Sequence, residues 1–189
     1  MTGQDPMGRI KGDLLLLSDF GYGRLRDRLA GLGDEEYLWE PAGSCWSVRP
    51  VGDGTYRADQ SPTPPDPPPL TTIAWRMCHL IGVLAARRNA TWLGVEPLGR
   101  GWRGAGEPGT ADEAVRRLGL AYTRFRGHLA AVDAATLGDP MGEVAGGYGE
   151  SSRASFVLHE LDELIHHGAE IAALRDLYRA TGTGRGSGA

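Results

Sequence analysis

The feature that limits the fold most is a set of four long stretches in which apolar residues recur every three or four positions. This spacing gathers apolar side chains on one face of an amphipathic helix. The predicted helices run over 13–32, 72–89, 111–132 and 152–177. The candidate N-caps of the first, second and fourth helices are Asp13, Thr71 or Thr72, and Ser151 or Ser152, and the third helix is expected to begin at Thr110 or Ala111. Because no stretch shows convincing strand alternation, the sequence predicts an all-α fold, a four-helix bundle with long ordered connections.

The chain has 189 residues, which fits one domain, since a single core usually serves roughly 100 to 200 residues. We expect this domain to span 13–180. Residues 1–12 lack a periodic apolar pattern and are predicted to be disordered or a cloning remnant. Residues 181–189 are rich in glycine and are expected to form a flexible tail.

The connection over 34–69 contains most of the prolines together with Tyr37, Trp39, Trp46 and Tyr56. Large aromatic side chains are seldom left in solvent, so this segment is predicted to be ordered against the bundle despite its prolines. A second connection, over 91–109, holds further tryptophans among glycines. Long loops in small domains are often functional, and these two are candidates for the walls of a site.

Composition argues against several classes of protein. The formal net charge is −4 and Lys11 is the only lysine, so the clustered basic residues that nucleic-acid binding needs are missing. The apolar run over 14–17 is far shorter than the roughly 20 residues of a membrane-spanning helix. Two cysteines are too few for a disulfide framework, and no secretory leader pattern opens the chain, so we expect a cytoplasmic protein that binds neither nucleic acid nor membrane.

Three of the five histidines fall within 159–170, interleaved with carboxylates. Glu163 and His167 are four residues apart and therefore project from one helix face, where His79 from the second predicted helix can join them on a divalent metal ion. The pairs His159 with Glu163 and Asp162 with His166 have the same offset. Spacing alone leaves the three pairs open, and solvated faces with His and Glu are common without a metal.

Two other chemically capable residues have simpler interpretations. The side chain of Cys78 projects from the helix in a different direction from that of His79, and Cys78 is predicted to be a small buried residue. His128 is predicted to lie at the surface of the third helix. Trp46 and Arg49 are candidates for the lining of a substrate pocket, or equally for contacts that tie down the long connection.

Four motifs together resemble one family more specifically than any of them does alone. They are Leu38-Trp39-Glu40-Pro41, Cys45-Trp46-Ser47-Val48-Arg49-Pro50, Thr71-Thr72-Ile73-Ala74-Trp75-Arg76-Met77-Cys78-His79-Leu80 and His166-His167-Gly168-Ala169-Glu170-Ile171. The chain resembles the DinB-like metal-dependent four-helix bundles, especially the actinobacterial branch of mycothiol-dependent transferases and isomerases. The resemblance implies that His79, Glu163 and His167 bind the metal. Many family members have histidine at the place of Glu163.

The resemblance also implies a function. One divalent ion, zinc or nickel by preference and iron or manganese as alternatives, would activate mycothiol or another small thiol for transfer to an electrophile. His159 and His166 would orient a ligand or serve as alternative ligands. A thiol-dependent isomerase and a non-catalytic metal-binding or interaction protein are the competing hypotheses, and a homodimer is one option for the oligomeric state.

Overall fold

The computed structural model describes residues 5–63, 65–98 and 106–182. Within these residues the chain forms helices and one short hairpin. In chain order they are α1 (Pro6–Leu29), α2 (Asp34–Tyr37), β1 (Val48–Pro50), β2 (Tyr56–Ala58), α3 (Ile73–Ala85), α4 (Arg88–Leu93), α5 (Ala111–Ala131) and α6 (Arg153–Ala180). Short 3-10 turns at Ala134–Thr136 and Glu143–Tyr148 lie between α5 and α6.

The four long helices α1, α3, α5 and α6 form a bundle, which confirms the predicted all-α fold. Helix α3 packs against α5 and α6, and α1 packs against the same two helices. Their apolar stripes meet in one continuous core, whose fully buried members include Met77, Leu80, Phe125, Leu129 and Leu161. Because α3 lies directly beside α6, side chains at equal heights on these two helices can meet.

Polar caps begin three of the bundle helices, and two of them, Thr72 and Ser152, are caps that the sequence predicted. The hydroxyl of Thr72 accepts a hydrogen bond from Trp75 N at 3.2 Å, and the hydroxyl of Ser152 accepts one from Ser155 N at 3.1 Å. Thr110 caps α5 in the same way. Each cap satisfies a backbone N–H that has no partner inside its helix. Among the described residues, none of the helices is both long enough and apolar enough to cross a membrane.

Helix α1 begins at Pro6, seven residues before Asp13, the N-cap predicted from the sequence, so residues 6–12 are helical. The Asp5 carboxylate accepts a hydrogen bond from Gly8 N at 3.0 Å, and Pro6 supplies a helical backbone angle at the first position. The Lys11 ammonium then donates to the carbonyls of Ala130 and Val132, both at 2.7 Å. The start of α1 is stabilised by this cap and by contacts with the end of α5, so it forms without a periodic apolar pattern in the sequence. Residues 1–4 and 183–189 lie outside the described residues.

The second predicted helix ends earlier than expected, at Ala85, and a separate short helix α4 follows. Asn89 is fully buried, and its amide donates to the carbonyls of Val83 at 3.0 Å and Leu84 at 3.2 Å. These carbonyls belong to the last turn of α3, where the regular helical hydrogen bonds end; Val83 O also accepts a hydrogen bond from Ala86 N at 3.3 Å. The Asn89 side chain therefore ends α3 and turns the chain into α4.

The connection over 34–69, which the structure describes at every position except 64, contains a hairpin that the sequence did not predict. Strands β1 and β2 pair antiparallel, with Arg49 opposite Arg57. Three-residue strands containing proline are too short for a recognisable alternation. Trp46 N donates to Leu70 O and Thr72 N donates to Trp46 O, both at 2.9 Å, which fixes the connection at the first turn of α3.

His128 is fully buried, which corrects the surface position predicted for it. Its Nε2 accepts a hydrogen bond from Leu98 N at 3.0 Å, so the ring joins α5 to the segment after α4. Burial, helped by nearby Arg124, lowers the pKa of His128 and keeps the imidazole neutral as an acceptor. Cys78 is buried, as predicted.

Candidate metal centre

The side chains of His79, Glu163 and His167 meet where α3 packs against α6. His79 Nε2 lies 2.8 Å from Glu163 Oε2, and His167 Nε2 lies 3.1 Å from the same oxygen. One donor atom from each of the three residues falls within 4.8 Å of the others. The three residues singled out from the sequence therefore converge on one point.

This geometry fits a divalent ion. Two donors that each lie about 2.1 Å from one cation are about 3.0 to 3.4 Å apart at the usual coordination angles, close to the two separations observed. Two imidazoles and one carboxylate form a donor set suited to zinc, nickel, iron or manganese. The side chains of His79 and Glu163 are 36% and 22% exposed, so one side of the cluster is open for water or substrate.

Glu170 fixes the orientation of the His167 ring. Its Oε2 lies 2.6 Å from His167 Nδ1, and its Oε1 lies 3.1 Å from an Arg76 nitrogen. Of the contacts at Nδ1, that with Glu170 is shorter than the 3.3 Å contact with an Arg76 nitrogen, so we assign a proton to Nδ1 as the donor to Glu170. Nε2, which lies 3.1 Å from Glu163 Oε2, is then the ring atom that would face a bound ion. Sequence reasoning did not assign roles to Arg76 and Glu170. The available signal was their spacing, each three residues from a predicted ligand.

The charges of the cluster favour metal binding at neutral pH. Burial opposes the ionisation of Glu163, but the hydrogen bond from His79 and the neighbouring imidazoles outweigh it, and the pKa of Glu163 falls below its usual value. Burial lowers the pKa of His167 despite its bond with Glu170. The result is an ionised carboxylate beside a neutral imidazole, the protonation states that metal ligands need.

Trp75 of α3 and Trp46 of the long connection form an aromatic wall beside His79. The ring of Trp75 stacks on His79 with centroids 5.5 Å apart and planes within 4°. Trp75 Nε1 donates to Asp59 O at 2.8 Å, and Trp46 lies against Trp75 at 5.8 Å. Trp46 therefore reaches the site through Trp75, and the hairpin holds both rings in place.

Arg49 makes contacts within the connection itself. It forms ion pairs of 2.9 Å with Glu40 and with Asp59, and donates to Cys45 O at 3.0 Å. The bond with Glu40, and then that with Asp59, raises the pKa of the guanidinium. These contacts tie down the connection, one of the two uses expected from the sequence.

His159 and His166 flank the cluster on α6, and the side chain of each is 59% exposed. His159 Nε2 is 3.9 Å from Glu163 Oε1, farther than either imidazole of the cluster. His166 Nε2 is 3.4 Å from Glu170 Oε1, and His166, His167 and Glu170 form a second group close enough to share an ion. Asp162 is exposed. Packing thus favours Glu163 with His167 among the pairs that spacing left open.

The protein is therefore a helical bundle with a candidate metal site between two of its helices, formed by two imidazoles and one carboxylate. The family model of the DinB superfamily matches residues 19–171, a span that includes all three cluster residues. The chain belongs to the DinB superfamily. No curated protein matches it, and no solved structure does.

Proposed function

We propose that this protein is a divalent-metal-dependent enzyme that transfers a low-molecular-weight thiol, such as mycothiol, to an electrophilic substrate. The observation that supports the proposal best is the convergence of His79, Glu163 and His167, with the His167 ring held by Glu170. Zinc or nickel is the preferred ion for this donor set.

A divalent ion bound there supplies Lewis acidity, which lowers the pKa of a coordinated thiol so that its thiolate is available near neutral pH. In the net transfer, a carbon–sulfur bond forms, the leaving group departs with the bonding electron pair, and the thiol proton passes to solvent. His79 and His167 would hold the ion through their imidazoles, and Glu163 would hold it through its carboxylate. With one carboxylate among the three residues, part of the charge of a bound ion would remain uncompensated, which would favour an anionic thiol substrate at the open side.

The surrounding residues orient and shield the reacting groups. Trp75 covers one face of His79, and Trp46 extends that apolar wall. Glu170, which is paired with Arg76, holds the His167 ring from behind. Exclusion of water on the aromatic side would protect a reactive electrophile and strengthen local electrostatic interactions.

The test uses protein purified without an affinity tag. We expect about one zinc or nickel ion per chain by elemental analysis, and metal-dependent consumption of a small thiol by a bimane electrophile. His167→Ala should lose both metal and activity, because two ligands cannot hold a labile ion. His166→Ala is the matched control, since it removes an exposed imidazole from the same turn and should keep both properties.

The competing hypothesis is a metal-binding protein without catalysis. It predicts a bound ion, lost in His167→Ala, with thiol reactivity unchanged between about pH 6 and pH 9, the range around an ordinary thiol pKa. That result with several thiols and electrophiles would refute the transferase proposal and leave the metal centre in place.

A further inference from the structure

A separate cavity of about 430 Å³ lies between α4, the connection over 138–149 and the first turns of α6. Its aromatic walls are Trp92, Tyr148 and Phe156. Trp92 packs edge-on against Phe156 at 5.1 Å and against Tyr148 at 6.1 Å, and Trp92 Nε1 donates to Val144 O at 3.1 Å. The volume falls in the range of small-molecule sites, roughly 300 to 1,000 Å³, and the ring arrangement suits a flat apolar body.

Arg88 gives this cavity a positive charge. Its guanidinium lies 5.1 Å from the centre of the Trp92 ring, and its side chain is 44% exposed. One nitrogen approaches Glu160 Oε1 at 3.5 Å, a long contact, and within the described residues Glu160 Oε2 has no hydrogen-bond partner although Glu160 is fully buried. The pair is therefore poorly matched, and Arg88 keeps donors that can grip a carboxylate in the bidentate manner typical of arginine.

The cavity adjoins the metal centre through His159. This residue lines the cavity, and its Nε2 is 3.9 Å from Glu163 Oε1. Phe156, His159 and Glu163 follow one another at three- and four-residue spacing and so occupy one face of α6. The helix rises about 10 Å between Phe156 and Glu163, roughly the length of a small aromatic acid.

We propose that this cavity binds a small aromatic carboxylate, with the ring against the wall formed by Trp92, Tyr148 and Phe156 and the carboxylate on Arg88. The further idea that this cavity holds the electrophile beside the activated thiol rests on the proposed function. Binding itself requires no metal and no thiol. The two ideas can therefore fail separately.

The experiment measures binding of trans-cinnamate to chelator-treated protein by calorimetry or ligand-observed NMR, with the neutral cinnamamide as the matched ligand. We expect cinnamate to bind more tightly than about 10 mM, and cinnamamide about tenfold more weakly. Arg88→Gln should weaken cinnamate binding about tenfold and leave cinnamamide unchanged. Trp92→Leu should weaken both ligands. Arg87→Gln, which alters the exposed neighbouring arginine, should change neither.

A second variant guards against a folding defect. Arg88→Gln leaves the buried Glu160 without its partner, so the double variant Arg88→Gln, Glu160→Gln removes both charges and should show the same loss of cinnamate binding with a native circular dichroism spectrum. Glu160→Gln alone keeps Arg88 and should bind cinnamate at least as well as the unmodified protein. The proposal is overturned if cinnamate does not bind, if cinnamamide binds equally well, or if Arg87→Gln and Arg88→Gln behave alike. Binding with these dependences but without thiol transfer would support the cavity and count against the transferase alone.

Discussion

Replacing Glu160 by glutamine should stabilise the metal-free protein at neutral and alkaline pH and have little effect at acid pH. Glu160 is fully buried, and its only charged partner, as far as the described residues show, is Arg88 at 3.5 Å. Burial raises the pKa of Glu160 to about 7 from the ordinary 4.5, in spite of Arg88. The carboxyl group is therefore more costly to ionise in the folded protein than in the unfolded chain.

The sign follows from where the two states ionise. Below about pH 4.5 the group is protonated in both states, so ionisation contributes nothing to stability. Between about 4.5 and 7 the unfolded chain loses the proton while the folded protein keeps it, and the free energy of unfolding decreases as pH rises. The gap between about 7 and 4.5, at about 1.4 kcal/mol per pH unit, corresponds to roughly 3 kcal/mol lost above pH 7.

Urea unfolding, followed by circular dichroism in the presence of a chelator, measures this effect. The stability of Glu160→Gln minus that of the unmodified protein should grow by roughly 3 kcal/mol between about pH 4.5 and pH 8. Glu150→Gln, at an exposed position before α6, is the control and should show no such growth. A difference for Glu160→Gln that stays constant across this pH range would mean that Arg88 keeps Glu160 ionised, and the argument from burial would be refuted.

Three further predictions concern the buried ion pair between Arg175 and Glu36, the contact between Glu170 and His167, and the metal. Arg175→Met should lower the free energy of unfolding in urea by about 3 to 5 kcal/mol, because Arg175 is 1% exposed and its loss leaves the carboxylate of Glu36 buried without a partner. The double variant Arg175→Met, Glu36→Gln should recover part of the lost stability, and equal stability of the two variants would contradict the explanation. Glu170→Gln should raise the metal dissociation constant by about 10- to 100-fold in a competitive chelator titration, because the His167 ring loses its charged acceptor. His166→Ala should leave this constant unchanged, and equal effects of the two variants would show that Glu170 does not orient the ring. Metal at about 100 times its dissociation constant should add about 2.7 kcal/mol to the unmodified protein and nothing to His167→Ala, and equal stabilisation of both in thermal melts would place the ion elsewhere.

Local signals explain the parts of the structure that the sequence predicted. The four long helices follow from apolar periodicity, which depends only on neighbouring residues, and Thr72, Thr110 and Ser152 cap them through contacts three residues away. Signals of this kind are weakest in short elements. The hairpin of β1 and β2, the early end of α3 and the start of α1 at Pro6 all depend on a few contacts with distant parts of the chain, and these were missed.

The candidate metal centre shows where sequence reasoning ends. Spacing places Glu163 and His167 on one face of a helix, but it does the same for His159 with Glu163 and for Asp162 with His166. Only the packing of α6 against α3 determines which face meets His79, because the orientation of a helix about its own axis is set by the surfaces it buries. The same packing brings Glu170 to the far side of the His167 ring. The sequence by itself therefore determined the long helices and a short list of candidate ligands. The tertiary structure decided which of these candidates share one point, since convergence depends on contacts between residues 84 positions apart.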